Sequence, residues 1–272
     1  MAYALTDFIR DRQAQHARTA EALLRAHARL RDEVMPAAAS AIRAVQTSPA
    51  PWLVLGRGLI APKLQQIWNG LSSLEGLLAT LLSPIQIPFW LWHNAERWAR
   101  LEGEVTGMVG DMNITNREVH LRWHGAAADA YDKVLPAHVA AAAQLGTSAD
   151  TIQRSLTWAG TAAAVFYAAL LAILIQFTAG FLTAMATAMS VPFAVMGIVA
   201  MFMVISVALA ELGALVVVGT EVFARMKIWM IELQTELNDN SAFPNRRWPP
   251  SRTDWFADAT VTDGDADWSV VR

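Results

Sequence analysis

The chain has 272 residues, enough for one large or two small domains, with a formal net charge of -3 and 17% charged residues, against roughly 25% in an ordinary soluble domain. The charge balance gives no basis for nucleic-acid binding, and the absence of cysteine excludes disulfides, thiolate metal sites and cysteine nucleophiles. The charge deficit is local: residues 1–46 are rich in Arg and acids, whereas 159–220 holds no Lys, Arg or Asp and a single carboxylate, Glu211.

The opening MAYALTDFIRDRQAQ does not make a secretory leader, because Asp7, Arg10, Asp11 and Arg12 interrupt any apolar run. Export would need a route without a cleaved leader, or the apolar stretch at 159–220 would itself direct insertion. Residues 4–46 predict one long helix. Ala20, Leu23, His27, Leu30, Val34, Ala37 and Ala41 alternate by three and four, a heptad-like seam that faces a neighbouring helix. Arg10, Arg12, Arg18, Arg25, Arg29 and Arg31 mostly lie off it, on a face suited to solvent or to anionic headgroups. Pro36 inside the pattern predicts a kink or a division.

Residues 47–62, TSPAPWLVLGRGLIAP, predict a Pro/Gly-punctuated connector, too short and broken to span a bilayer. A second helix over about 63–82 carries Leu64, Ile67, Trp68, Leu71, Leu74, Leu77, Leu78 and Leu81 at the spacing of one buried face. Pro84 and Pro88 then break the chain, and a third helix begins near Phe89 with Trp90, Trp92 and Trp98. Trp90 and Trp92 point about 200° apart around it. Such rings suit a protein interface or a membrane boundary, or simply fill a core. Gly103, Gly107 and Gly110 weaken this helix, and MNIT at 112–115 predicts a break before a short segment ending at Trp123.

Residues 123–131 read WHGAAADAY. A glycine here suits a turn closed to other residues, an indole plugs the gap between two antiparallel helices, and small alanines let the second helix approach the first. The pattern W-x-G-x-A-A-x-A-[FY] resembles the WXG family of type VII (ESX) secretion substrates. The resemblance covers about 86–157. It implies that Trp123 and Gly125 make the turn of a helical hairpin, that 126–157 forms its second helix, and that a small WXG-type partner or a second copy completes the assembly. Trp68-Asn69-Gly70 also fits the tripeptide but is followed by LSSLEGLL. The family's Y-x-x-x-[DE] export signal is missing after the second helix: Leu135 stands four residues after Tyr131 and Leu171 four after Tyr167, while Tyr3 with Asp7 fits at the wrong end. The signal would then sit on a partner chain.

The stretch 159–220 is apolar all round rather than on one stripe. It predicts two helices, about 159–187 and 193–221, each long enough for a bilayer core of about 30 Å, with Ser190, Val191 and Pro192 as the turn. Arg154 precedes the pair and Arg225 and Lys227 follow it, which places both ends on one side. Trp158 and Trp229 bracket it where an aromatic belt would lie. Gly160, Ala164, Ala168 and Ala172, and Gly180 with Ala184, recur at four-residue spacing, which permits close helix contact in lipid. Gln176 is its strongly polar uncharged residue. Glu211 at this depth must be protonated, paired or facing water. A soluble bundle would need other helices to cover every face of both.

From Asn238 the pattern is lost. Pro244, Pro249 and Pro250, followed by SRTDWFADATVTDGDADWSVVR, predict a flexible acidic tail, whose Trp248, Trp255 and Trp268 are suited to docking. No catalytic constellation emerges. His120 and His124 lack the Glu of a zinc hydrolase motif, and Asp263, Asp265 and Asp267 lack the Gly and closing Glu of a calcium loop.

The sequence therefore predicts an all-α fold, a helical bundle with a WXG-type hairpin and a long hydrophobic hairpin. Its parts are N-terminal helices at 1–83, the WXG-like hairpin at 84–157, the hydrophobic hairpin at 158–230 and the tail at 238–272. The expected function is non-enzymatic, with no cofactor or metal. By the resemblance it is that of a type VII substrate, secreted or at the cell membrane, which inserts into a lipid bilayer as a pore-forming or toxin-delivery module and works with the type VII machinery. The alternatives are a resident integral membrane protein with a helical interaction domain, and a soluble oligomer with an interfacial hairpin.

Overall fold

The computed structural model describes residues 2–47, 51–124, 126–190, 194–238, 241–250 and 269–270; among these, the side chains of 2–4, 45, 51–59, 114–124, 126–130, 236–237 and 269–270 lie outside the described set. The elements are α1 (Ala2–Arg29), a π turn (Leu30–Val34), α2 (Met35–Thr47), α3 (Pro51–Leu82), α4 (Ile87–Arg122), α5 (Ala126–Met189) and α6 (Ala194–Asn238). The all-α class holds. The one extended pairing among the described residues is antiparallel and two residues long, Trp123 opposite Val270 and His124 opposite Ser269.

Several boundaries differ from expectation. The first helix is divided at Leu30–Val34, one turn before Pro36, by the π turn that separates α1 from α2. A proline cannot donate to the carbonyl four residues back, and its ring collides with that carbonyl. The residue concerned is Asp32, and the backbone widens there into the π turn, which adds one residue to the turn. The extra residue also rotates the seam. Ala20, Leu23, Leu30 and Val34 are buried as expected, but beyond the turn Ala38 is buried, with Ile42 packed against the core, rather than Ala37 and Ala41.

The expected connector at 47–62 is, from Pro51 onward, the start of α3. Proline suits that first helical position, where its missing N–H costs nothing. The break at 112–115 does not occur, since α4 runs unbroken to Arg122. Asn and Thr lower helix propensity by only a few tenths of a kcal/mol each. The two helices expected at 126–157 and 159–187 are one, α5, which passes through Pro136 and ends at Met189.

Two compact units divide the chain: one holds 1–7, 92–158 and 225–272, the other 8–91 and 159–224. In the first unit α4 and α5 meet where a Cβ on Gly146 would lie 3.6 Å from Val105. Trp92 belongs to this unit and is fully buried. The segment after α6 folds onto α5, with Trp248 Nε1 donating to His138 Nδ1 at 2.6 Å and Phe243 beside the indole. The tail beyond Pro250, with Trp255, Trp268 and the aspartates at 263–267, lies outside the described residues apart from the backbone of Ser269–Val270.

The second unit is a four-helix arrangement. One apolar core joins α1–α2 (Ala20, Leu23, Leu30, Val34, Ala38), α3 (Leu64 to Leu82), α5 (Tyr167 to Ala188) and α6 (Ile198 to Leu212). The direction of each helix follows from its contacts. His16 meets Ile85 while His27 meets Glu75, so α1 runs antiparallel to α3. His16 meets Tyr167 while Arg25 and Arg29 lie beside Ile175 and Leu182, so α1 runs parallel to α5. Trp90, in this unit, is 64% exposed. Its opposite fate to that of Trp92 is what their 200° separation requires.

Candidate functional site

The feature that dominates the second unit is the apolar pair formed by α5 and α6. It interlocks at three levels. A Cβ on Gly219 would lie 3.4 Å from the Phe166 ring, and one on Gly180 3.4 Å from Val204. Near the turn Gly197 abuts the backbone of Ala188, and an added Cβ would sit 2.7 Å from the Ala188 methyl. Only glycine permits that approach. Gly197 has no small partner four residues away in its own helix, so spacing does not single it out.

One side of the pair is covered and the other is bare. Gly70 of α3 fits against Ile205 so closely that a Cβ there would lie 2.6 Å from its methyl, and α1–α2 packs along α5. Away from those helices Val165 of α5 and Val195, Met196, Val199, Met203 and Val207 of α6 are exposed, and Ile175, at the edge beside α1, is exposed as well. Only 22% of the most apolar window of α6 and 33% of that of α5 are buried. A monomeric soluble protein rarely leaves so much contiguous apolar surface uncovered. Three segments, 60–113, 131–189 and 194–235, are long and apolar enough to cross a membrane, with mean hydropathy 1.3, 2.1 and 2.5. The first of these includes the turn at 83–86 and is the least apolar of the three, and α5 and α6 hold the two most apolar.

The small-residue stripe expected to join these two helices divides. Ala184 is buried and Gly180 meets Val204, whereas Ala168 and Ala172 lie on the open side. Polar groups on the pair are largely satisfied by their own helix. Thr178 donates to Leu174 O at 2.7 Å, Thr183 to Ala179 O at 2.9 Å, Thr187 to Thr183 O at 3.0 Å, Ser206 to Phe202 O at 2.9 Å and Thr220 to Val217 O at 2.6 Å. Such back-bonding lets a hydroxyl face hydrocarbon. Gln176 is exposed and Glu211 half-buried.

Trp158 and Trp229, expected to bracket the pair, are in contact: their rings meet edge to face, centroids 4.6 Å apart, in the first unit. Arg154, in the same unit, is exposed and holds Asp150 at 2.7 Å. Gly125 and Pro192 lie outside the described residues, as do the Trp123 and His124 side chains. Ser190 closes α5, its hydroxyl donating to Thr187 O at 2.7 Å. Among the described residues no group of three or more His, Asp or Glu gathers as metal ligands would.

One buried polar side chain was not expected. His16 is 1% exposed, and its Nε2 lies 3.0 Å from Ile85 O. A carbonyl accepts, so the ring carries its proton on Nε2 and donates. The Phe89 ring stands 4.9 Å away and the Tyr167 ring 5.5 Å, and the Tyr167 hydroxyl donates to Leu81 O. Burial holds the imidazole below its ordinary value of 6.5, against a smaller opposing effect of the Ile85 carbonyl. The signal in the sequence was the seven-residue recurrence Ile9, His16, Leu23, Leu30, all four of them buried.

Comparison of the chain with family models, curated proteins and solved structures gave no significant match.

Proposed function

We propose that this protein is a membrane-inserting, non-enzymatic helical module whose working part is the α5–α6 pair. The observation that supports it is the uncovered apolar side of that pair, together with the self-bonded hydroxyls along it. With Arg154 before it and Arg225 and Lys227 after it, the pair would enter as a hairpin with both basic ends on one side. On the resemblance of 123–131 to the WXG family, the route of delivery is type VII secretion, and the role is that of a pore-forming or toxin-delivery component acting with a small WXG-type partner or further copies of itself.

The test is flotation of the purified full chain with phosphatidylcholine–phosphatidylglycerol vesicles, read with dye release and with thiol labelling. The chain contains no cysteine, so single Arg154→Cys and Lys227→Cys variants report topology cleanly. Flotation with dye release, and both positions reached by a membrane-impermeant reagent from the side of addition, are the expected results. A protein that stays with the soluble fraction at every protein-to-lipid ratio removes the proposal. Vesicle binding without release favours a resident membrane protein over a pore. Fractionation of cells with and without an active type VII system tests the delivery route.

A further inference from the structure

Resting on the membrane reading above, we infer that the crevice between α1 and α5 is a site for one anionic phospholipid. Arg25 and Arg29 take the phosphate, and the wall of α5 takes an acyl chain. The crevice has a volume of about 340 Å³, with Arg25, Ala26 and Arg29 of α1 on one wall and Ile175, Ala179 and Leu182 of α5 on the other. The two arginines are four residues apart, so their side chains leave the helix on one face. Arg29 donates to Glu33 through Nε at 3.1 Å, and one terminal nitrogen of Arg25 lies 3.5 Å from Glu21. A guanidinium carries five N–H donors, so each arginine keeps donors for a phosphate oxygen without leaving its carboxylate. Exposed ion pairs of this kind are also weak enough to be exchanged for a phosphate. The local charge suits an anion although the chain as a whole is acidic, at -3. Helix α1 carries Arg10, Arg12, Arg18, Arg25 and Arg29 against Asp7, Asp11 and Glu21, a basic balance of the kind that draws a protein to anionic headgroups.

The α5 wall presents hydrocarbon. Ile175, Ala179 and Leu182 follow one another at four and three residues, a strip about 10 Å long. Thr178, which also lines the crevice, has its hydroxyl on Leu174 O at 2.7 Å. Ile175 is 57% exposed and Ala179 is exposed, so the strip opens outward instead of closing into the core. A free phosphate or an acidic peptide would satisfy the arginines and leave this strip bare, whereas a phospholipid matches both walls at once. The opposite edge of the apolar pair also carries a cation. Lys63 Nζ of α3 stands 4.7 Å from the centroid of the Phe202 ring of α6, and the contact of Gly180 with Val204 sets Phe202 near the level of Leu182. A pair lying with its bare side on hydrocarbon thus has basic groups at both rims, where headgroups stand.

The experiment titrates the full chain calorimetrically with dihexanoylphosphatidylglycerol kept below its micelle concentration, so that lipid is offered without a bilayer. Saturable binding of one lipid is expected, with dihexanoylphosphatidylcholine weaker and inorganic phosphate unable to compete. Equal binding of the two lipids, or competition by phosphate alone, overturns the site. Arg25→Gln combined with Arg29→Gln should weaken phosphatidylglycerol about tenfold, the loss that follows removal of charge-assisted hydrogen bonds. Arg97→Gln combined with Arg100→Gln makes the same change of charge at exposed positions of α4 and should bind as wild type does; equal weakening by both pairs reduces the effect to net charge and overturns the site. Should the Arg25/Arg29 variant lose its native helical content, labelling of the wild type decides instead. A dihexanoylphosphatidylglycerol with a diazirine in one chain should mark the segment 175–182, and label confined to other segments overturns the inference. Vesicle flotation and dye release are measured in parallel. Binding of the short lipid by a chain that never floats keeps the site and removes the membrane reading, while flotation with dye release but no binding of the short lipid removes the site alone.

Discussion

Two glycines of this chain have opposite tasks, and single substitutions separate them. A Cβ on Gly107 of α4 would meet nothing within 4 Å, so Gly107→Ala removes backbone freedom from the unfolded chain at no steric cost. It should stabilise by about 0.5–1 kcal/mol, seen as a higher melting temperature. Gly197→Ala forces a methyl into the backbone of Ala188. Backbone cannot move aside as a flexible side chain can, and the expected loss is about 3 kcal/mol, the upper end for overpacking, read as a lower urea midpoint. Equal responses of the two variants would mean that α5 and α6 do not touch at 188 and 197. Glu211 differs again, since its substitution acts on transfer rather than on folding. A carboxylate within an apolar span costs on the order of a few kcal/mol to bring to the bilayer centre. Glu211→Gln should therefore raise vesicle dye release several-fold at about pH 7.5; leakage unchanged across about pH 5 to 7.5 would show that Glu211 does not enter the bilayer.

At the scale of an element, the π turn couples Pro36 to the seam of the helix that carries it. Deleting Arg31, an exposed residue within the turn, restores regular helix but sets the Pro36 ring against the carbonyl four residues back, a cost of about 3 kcal/mol. The same deletion combined with Pro36→Ala should fall within about 1 kcal/mol of wild type in chemical denaturation, because Ala38 and Ile42 then keep their place on the core. A double variant as unstable as the deletion alone would separate the turn from the proline. This coupling also explains where the sequence could be read. The heptad spacing from Ala20 to Val34 predicts the buried face correctly, since packing there follows a regular helix. It fails beyond Val34, because one added residue rotates everything after it and periodicity carries no sign of the addition. The turn at Ser190 was legible from Pro192 and the charge-free flanks. The continuity of α5 across 157–159 was not: the composition changes there from mixed to purely apolar, yet neither Gly160 nor Pro136 interrupts the helix. His16 was missed because a single histidine on an arginine-rich helix reads as surface. Its burial depends on Ile85 and Tyr167, 69 and 151 positions away along the chain.

For the whole molecule, the covering of α5 and α6 sets what a membrane experiment should report. Helices α1 to α3 pack on one side of the pair, so binding to vesicles need not begin with unfolding: the bare side, with Met196, Val199 and Met203, can meet lipid first. Complete insertion requires the covered side to be released as well. The flotation experiment should therefore show two stages, binding with α1 amides still protected and then dye release with that protection lost. Binding and release that always coincide with global loss of helix would contradict this order.

The threonines and serines of α5 and α6 carry one further consequence. Because Thr178, Thr183, Thr187, Ser206 and Thr220 are bonded to carbonyls of their own helices, exchanging an aqueous surrounding for an oily one leaves those bonds unbroken. The hydroxyls of the pair thus keep their hydrogen bonds in either surrounding, and on the membrane reading the resistance to insertion falls to Glu211 and to the helices packed on the covered side.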